Sequence, residues 1–360
     1  MFEEFGFEET TARQASVILA LVLGALFGIL AERTKFCFRR AMVGDDRREA
    51  AGIWFMALAT ALIGTQAAVA LGWISFDDHR FMTPNLAWLA IALGGALFGA
   101  GMVMTRGCVS RLTVLGGTGN LRALTVIVVF AVVAHATLKG VLAPVRTSLA
   151  SVTVPLGDTV SLAALPGGAL VWTGVLALAA LAVALRSGNR VTHLGLAALL
   201  GLLVPAAWVG TGNVLYDDFD PITLESLSFT APATEGLFWL IASTAIEPGF
   251  GVGLFGGVLA GALVASLVFG TFRWQSFTSP RETGRYLAGA ALMGVGGVLA
   301  GGCTVGAGLG GVPTLSLAAL LALVSIAVGA LIAQKVLSAL LRGAFSSDEA
   351  ATRQHRQPAE

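Results

Sequence analysis

The sequence is short of charge. Only 12% of its 360 residues are Asp, Glu, Lys or Arg, against about a quarter in a soluble domain. That shortage excludes an ordinary water-facing surface. Tyrosine is nearly missing, with two residues, which argues against a membrane β-barrel, whose alternating strands end in aromatic girdles. No GxxxxGK[ST] motif is present, so the chain offers no phosphate loop through which ATP would drive it. No CxxC or Cys/His spacing occurs, and His79, His135, His193 and His355 stand away from the cysteines. No metal and no cofactor are therefore expected. Cysteines number three, an odd count that speaks against a structural disulfide. The net charge of +1 says nothing about partners, and no nucleic-acid partner is expected. The first 15 residues are acidic rather than basic, so no cleavable signal peptide is expected.

What the sequence has is apolar length and glycine. It is 56% hydrophobic with 46 glycines, and its mean hydropathy is +0.83. Apolar runs near 20 residues suit helices that cross a bilayer, and glycine suits their close packing. The fold class expected is an all-α polytopic membrane protein. About nine spans are read, at 16–31, 51–72, 87–105, 122–142, 167–185, 191–209, 249–270, 285–301 and 315–338. They form one transmembrane transport domain, 16–342, with repeat-bearing halves at 16–142 and 167–338. Residues 1–15 read as an extracytoplasmic segment and 343–360 as a disordered cytoplasmic tail.

Basic residues collect in alternate connections. Arg33, Lys35, Arg39, Arg40, Arg47 and Arg48 follow the first span. Arg106, Arg111 and Arg122 follow the third, Arg186 and Arg190 the fifth, and Arg273, Arg281 and Arg285 the seventh. The intervening connections "ISFDDHRFMTPN" and "YDDFDPITLESLSFTAPATE" are acidic. The positive-inside rule then places the N-terminus outside and the C-terminus, with Lys335 and Arg342, in the cytoplasm.

The chain repeats itself. "GALFG" occurs at 24–28 and 95–99, each at the same distance before a cysteine, Cys37 and Cys108. Aligned on Cys108 and Cys303, the second and third copies share Gly94, Ala96, Leu97, Gly99, Gly101, Val103, Gly107, Cys108 and Gly116 with Gly289, Ala291, Leu292, Gly294, Gly296, Val298, Gly302, Cys303 and Gly311. A fainter fourth copy ends at "WVGTGN", with Gly210 where a cysteine would stand. Five spans separate the second and third copies. They enter the membrane from opposite faces, as inverted repeats do in transport folds. The stretches 106–120 and 301–314 are too glycine-rich for spanning helices and too apolar for open loops. Each reads as a short re-entrant helix.

A single buried cysteine is ordinarily an inert small hydrophobe. Three at equivalent places beside three helix breaks point instead to a pathway lined by thiols. A thiol is a weak donor and a soft partner, suited to a sulfur-bearing solute. Helix N-termini and close backbone approach at glycine favour an anion. "GGTGN" (116–120) and "GAGLGG" (306–311) are the segments expected to supply them. The candidate pathway residues are Cys37, Cys108, Cys303, Gly107, Gly302, Gly116, Gly117, Thr118, Thr304 and Arg106. Covalent persulfide chemistry by the same thiols is the alternative.

The three cysteine segments resemble the YeeE/YedE sulfur-transport family over about residues 16–340. The resemblance implies an hourglass-shaped bacterial inner-membrane protein that takes up thiosulfate and is not an enzyme. It also implies function-bearing cysteines at Cys37, Cys108 and Cys303 and a small cytoplasmic sulfur-carrier partner of the TusA type. The family name also covers suspected selenium-compound transporters. This chain departs by placing Arg106 and Arg111 around Cys108, and by an insert at 143–166.

Overall fold

The computed structural model describes residues 11–217 and 221–354, the side chains as far as Leu340. Most of the segment expected outside at 1–15, the side chain of Arg342 and the last residues of the tail lie beyond the described residues.

The helices that start at Ala12, Leu121 and Pro280 begin under a side chain that accepts from their first N–H groups, which would otherwise lack a partner. Helix α1 (Ala12–Thr34) opens on a capping box between Thr11 and Gln14. It is followed by the short α2 (Phe38–Val43) and by α3 (Arg47–Ala70). Next come α4 (Trp88–Met104), the nine-residue α5 (Val109–Gly117) and α6 (Leu121–Lys139), the last capped by the Asn120 side chain on Ala123 N–H. The insert at 143–166 carries α7 (Ala143–Ala150) and a two-residue antiparallel pairing of Asn85–Leu86 with Val154–Pro155. Then follow α8 (Gly168–Leu185) and α9 (Val191–Val209), which runs on into a π-helical turn, Gly210–Val214. The half-length α10 (Thr230–Ala242) and α11 (Phe250–Val268) come next. Helix α12 (Pro280–Leu299) starts under a Ser279 cap and precedes a π-helical segment, Thr304–Gly311; α13 is Leu317–Gln354.

Nine helical stretches among the described residues are long and apolar enough to cross a membrane, and they coincide with the nine expected spans. The reading missed α10. Its thirteen residues are too short for a span, and they begin inside an acidic connection that resembles an ordinary loop. Helix α12 begins at Pro280 rather than near 285 because its first turn, "PRETG", is polar and escapes a hydropathy reading. Helix α13 continues as backbone past residue 342.

The packing pairs follow the inverted repeat. Helix α1 packs on α11 and α3 on α9; α4 packs on α13 and α6 on α12; α4 and α12 meet each other. Exchanging α1 with α9, α3 with α11, α4 with α12 and α6 with α13 maps this set onto itself. Each exchange joins spans five apart, and α8 is the odd span between the halves.

One glycine recurs at every crossing. Gly28, Gly99, Gly201 and Gly294 each stand nine residues before Cys37, Cys108, Gly210 and Cys303. A Cβ on each would fall against a backbone carbonyl of the partner helix, at Val258, Ile326, Ala57 and Phe130 respectively. The fourth copy, faint in sequence, is therefore present in packing. Side-chain-free contact lets backbones approach closely, which is how helices associate where no hydrophobic force separates protein from lipid.

Two faces result. Loops 71–87, 140–167, 221–229, 243–249 and 312–316 lie with the start of α1. Arg13 pairs there with Glu247 at 3.5 Å, and Ser316 donates to the Phe81 carbonyl at 2.8 Å. The opposite, second face gathers loops 35–46, 105–120, 186–190 and 269–279. There Arg48 binds the Arg186 carbonyl and Arg33 lies 3.8 Å over Phe269. The basic connections read from sequence share that second face.

Overpacking a close crossing costs about 1–3 kcal/mol. Gly28→Val and Gly261→Val are expected to lower the unfolding temperature in detergent. Gly256→Ala, whose added carbon meets nothing within 4 Å, is expected not to lower it.

Candidate functional site

All three cysteines sit in one local design. A helix ends on a left-handed residue, Lys35 (φ 52°), Arg106 (φ 58°) or Gly301 (φ 73°). Their N–H groups turn back to Glu32, Val103 and Val298. Phe36 and Gly107 then close a wider turn on the Ala31 and Met102 carbonyls, the Schellman way of ending a helix. The next residue is the cysteine, extended, at the N-cap of a new short helix. Left-handed backbone is uncommon outside glycine, so Lys35 and Arg106 are held there by their turns. The sulfur of Cys303 accepts from Gly306 N–H at 3.3 Å. Cys37 and Cys108 face the corresponding N–H groups of Arg40 and Arg111 in looser geometry.

The three thiols are buried, with exposures of 5%, 1% and 0% for Cys37, Cys108 and Cys303, and all are free. They are also brought together. The Cys37 and Cys108 thiols are close neighbours. Cys108 Sγ lies 3.1 Å from Ser110 Oγ. The Thr304 hydroxyl lies near the Cys108 thiol without a hydrogen bond of ordinary geometry. Cys303 neighbours Cys108 and the Phe229 backbone. Soft sulfur, two hydroxyls and unspent N–H groups thus share one buried centre. Among the described residues no cluster of His, Cys, Asp and Glu suits a metal ion.

The other expected residues divide. Gly107 and Gly302 adjoin the cysteines: the Thr105 hydroxyl donates to the Gly107 carbonyl at 2.9 Å, and a Cβ on Gly302 would stand 2.9 Å from Ala307 N. Gly116, Gly117 and Thr118 are not with the thiols. They form the carboxyl end of α5, where Thr118 N–H is spent on Val114 and Leu115 and Gly117 packs against the Leu259 carbonyl of α11. A helix C-terminus presents carbonyls, not donors, so this stretch makes no anion site. The segment 306–311 reaches a cavity through Gly306 and Gly310. Arg106 is exposed and lines a second-face basin with Arg122, Arg281 and Arg285.

Sequence reasoning missed the first-face cavity. It has a volume of about 750 Å³, and its walls include His79, Arg80, Glu225, Ser228, Gly306 and Gly310. The lining comes from three distant loops, so no spacing announced it. The π-helical turn after α9 builds one wall: the Thr211 hydroxyl donates to the Glu225 carbonyl at 2.8 Å and accepts from Glu225 N–H at 3.1 Å. Ser226 donates to the Val204 carbonyl at 2.9 Å. The chain then descends to Phe229, packed on Phe27 at 5.2 Å. The His79 ring is wedged against Phe81 and Trp208, with centroids 4.9 and 5.2 Å away. Burial, helped by the Arg80 charge, lowers its pKa to about 4. His79 is therefore neutral at physiological pH, and the fixed cation of the cavity is Arg80, whose guanidinium lies 5.0 Å over Phe81.

The family description for sulphur transport matches residues 33–332. The chain belongs to the sulphur transport family. Two relatives bear the name thiosulfate transporter TsuA. The one from Escherichia coli (strain K12) is 25% identical over 325 residues, covering 81% of this chain and 86% of the relative. The one from Spirochaeta thermophila is 28% identical over 326 residues, covering 84% and 93%. All three cysteines of this sulphur transport family member fall inside the matched region.

Glu225 makes the cavity pH-sensitive. Burial first, then the neighbouring Glu235 charge, raises its pKa to about 7, against the opposing pull of Arg80. Below that value the carboxyl is neutral and Arg80 dominates; above it a negative charge opposes an entering anion. Binding of sulfate, followed by calorimetry, is expected to weaken as pH rises through 7. Glu225→Gln is expected to remove that slope.

Proposed function

We propose that this chain is a thiosulfate transporter in the bacterial cytoplasmic membrane, with the first face outside and the basic second face in the cytoplasm. The observation that carries this reading is the convergence of three free thiols, from three copies of one helix break, beneath a cavity with a fixed cation. The names of the relatives and the placement of the basic loops support it.

The steps follow from the chemistry of the residues. Thiosulfate is a dianion, and a bilayer centre is hostile to it. It loads from the first-face cavity, its oxygens toward Arg80 and the N–H groups of the segment after Cys303. Its terminal sulfur then meets Cys303, Cys108 and Cys37 in turn through S–H contacts. Each contact is weak, about 1 kcal/mol or less, which suits conduction, because a site must release as readily as it binds. Gly107, Gly302 and Thr304 keep the backbone and a hydroxyl close to the passing ion. The alternative class is a membrane sulfurtransferase. The proximity of Cys37 and Cys108 is what favours it, since neighbouring thiols accommodate exchange chemistry. We read the chain as a transporter, not an enzyme. A TusA-type carrier accepting sulfur at the second face is consistent with exposed Lys35 and Arg47 there.

Serine at Cys108 or Cys303 is expected to cut labelled thiosulfate uptake into proteoliposomes more than about tenfold, a barrier of about 1.4 kcal/mol, with insertion and unfolding temperature retained. Normal uptake by both variants would remove the thiol pathway. Thiosulfate labelled separately on its two sulfurs is expected to arrive with both labels in one molecule. One extra sulfur on a cysteine, with free sulfite inside the vesicles, would establish the sulfurtransferase instead.

A further inference from the structure

The inverted repeat sets a comparison that bears on the exit. Aligned on their cysteines, Gly306 after Cys303 corresponds to Arg111 after Cys108. Gly306 lines the first-face cavity. Its counterpart fills the same place on the second face with a guanidinium. Arg111 Nη1 donates to the Ala31 carbonyl at 3.3 Å and lies 3.6 Å from Glu32 Oε2, with both side chains about 15% exposed (15% and 14%). The guanidinium is also an electrostatic neighbour of Cys37. The arginine that departs from the expected small residue therefore stands beside the last thiol of the pathway.

The pair is loosely made. Glu32 Oε2 is buried without a hydrogen bond, and Oε1 has one long contact, from Thr271 at 3.4 Å. A neighbouring pair on the same face shows what a brace looks like. Arg122 meets Glu282 at 3.0 Å and Gln275 at 3.0 Å, and Glu282 is held in turn by Thr278. Arg111 has one long carboxylate contact and donors to spare. A guanidinium accepts two oxygens of an oxyanion side by side, a better match than a single distant carboxylate oxygen.

We propose that Arg111 and Glu32 form an anion-displaceable latch on the second-face half of the pathway. The dianion leaving Cys108 and Cys37 takes the place of the Glu32 carboxylate on Arg111, and Glu32 recaptures Arg111 as the anion departs. The latch rests on the transport reading above, because it needs an anion delivered past the thiols. It predicts opposite consequences for its two members. Removing Arg111 removes the partner of the leaving anion. Removing the Glu32 charge removes the competitor. A structural brace predicts one consequence, since either change breaks the same pair.

The experiment compares Arg111→Gln, Arg111→Lys and Glu32→Gln in proteoliposomes loaded with labelled thiosulfate outside. Arg111→Gln is expected to reduce initial uptake about tenfold or more, and Arg111→Lys to recover part of it. Glu32→Gln is expected to raise uptake and to lower the half-saturating concentration. A fall in uptake for both Arg111→Gln and Glu32→Gln, or no change in either, overturns the latch. If Arg111→Gln does not fold, Glu32→Gln decides alone, with a rise supporting the latch and a fall overturning it. If the unaltered protein takes up no thiosulfate, the transport reading fails. The latch is then judged by thiosulfate binding to the solubilised protein, where tighter binding by Glu32→Gln supports it and unchanged, weaker or undetectable binding overturns it.

Discussion

A backbone that leaves the α-helix inside a bilayer must find partners for the N–H and C=O groups it frees. The centre of this protein depends on that constraint. Three times the chain ends a helix on a left-handed residue, closes the turn on its own carbonyls, and restarts with a cysteine at the N-cap. The turn spends the carbonyls of the first helix. The new helix leaves N–H groups beside each sulfur. A cysteine at an N-cap is a poor cap compared with Ser, Thr, Asp or Asn. It accepts weakly, so the N–H groups beneath it are not fully claimed. Soft sulfur and underused donors in one place form a polar environment within the protein.

The glycines make that centre possible at a distance. At each of four crossings a glycine nine residues before the break lets two helices touch backbone to backbone. The helices are pinned there, one pair per repeat. Tight crossings on all sides also allow irregular segments to be buried in protein rather than exposed to lipid. The fourth crossing keeps the glycine and loses the cysteine. Its π-helical turn serves another purpose, fixing through Thr211 the wall of the first-face cavity that carries Glu225.

Symmetry of backbone does not mean symmetry of chemistry. On the first face, small residues after Cys303 leave space, and the loops contribute Arg80, a neutral His79 and a carboxyl that titrates near neutrality. On the second face the equivalent position carries Arg111, and the basin beside it carries Arg106, Arg122, Arg281 and Arg285. One repeat opens a cavity and its inverted partner closes one with a paired charge.

Hydropathy, glycine content and the spacing of three cysteines were enough to read nine spans, the inverted repeat and the helix breaks. These are properties of local composition and period, and a bilayer leaves the chain few other ways to satisfy its backbone. The same information placed Gly116, Gly117 and Thr118 at an anion site, because glycine richness alone does not distinguish the start of a helix from its end. Helix α10 and the first-face cavity were not legible. A thirteen-residue helix has no signature against an acidic connection, and His79, Arg80 and Glu225 come from loops far apart in sequence. Only the tertiary structure decided that the three thiols share one region, that Arg80 stands in the cavity above them, and that Arg111 rests against Glu32. Each of these is a contact between segments whose separation along the chain carries no energetic trace until the helices pack.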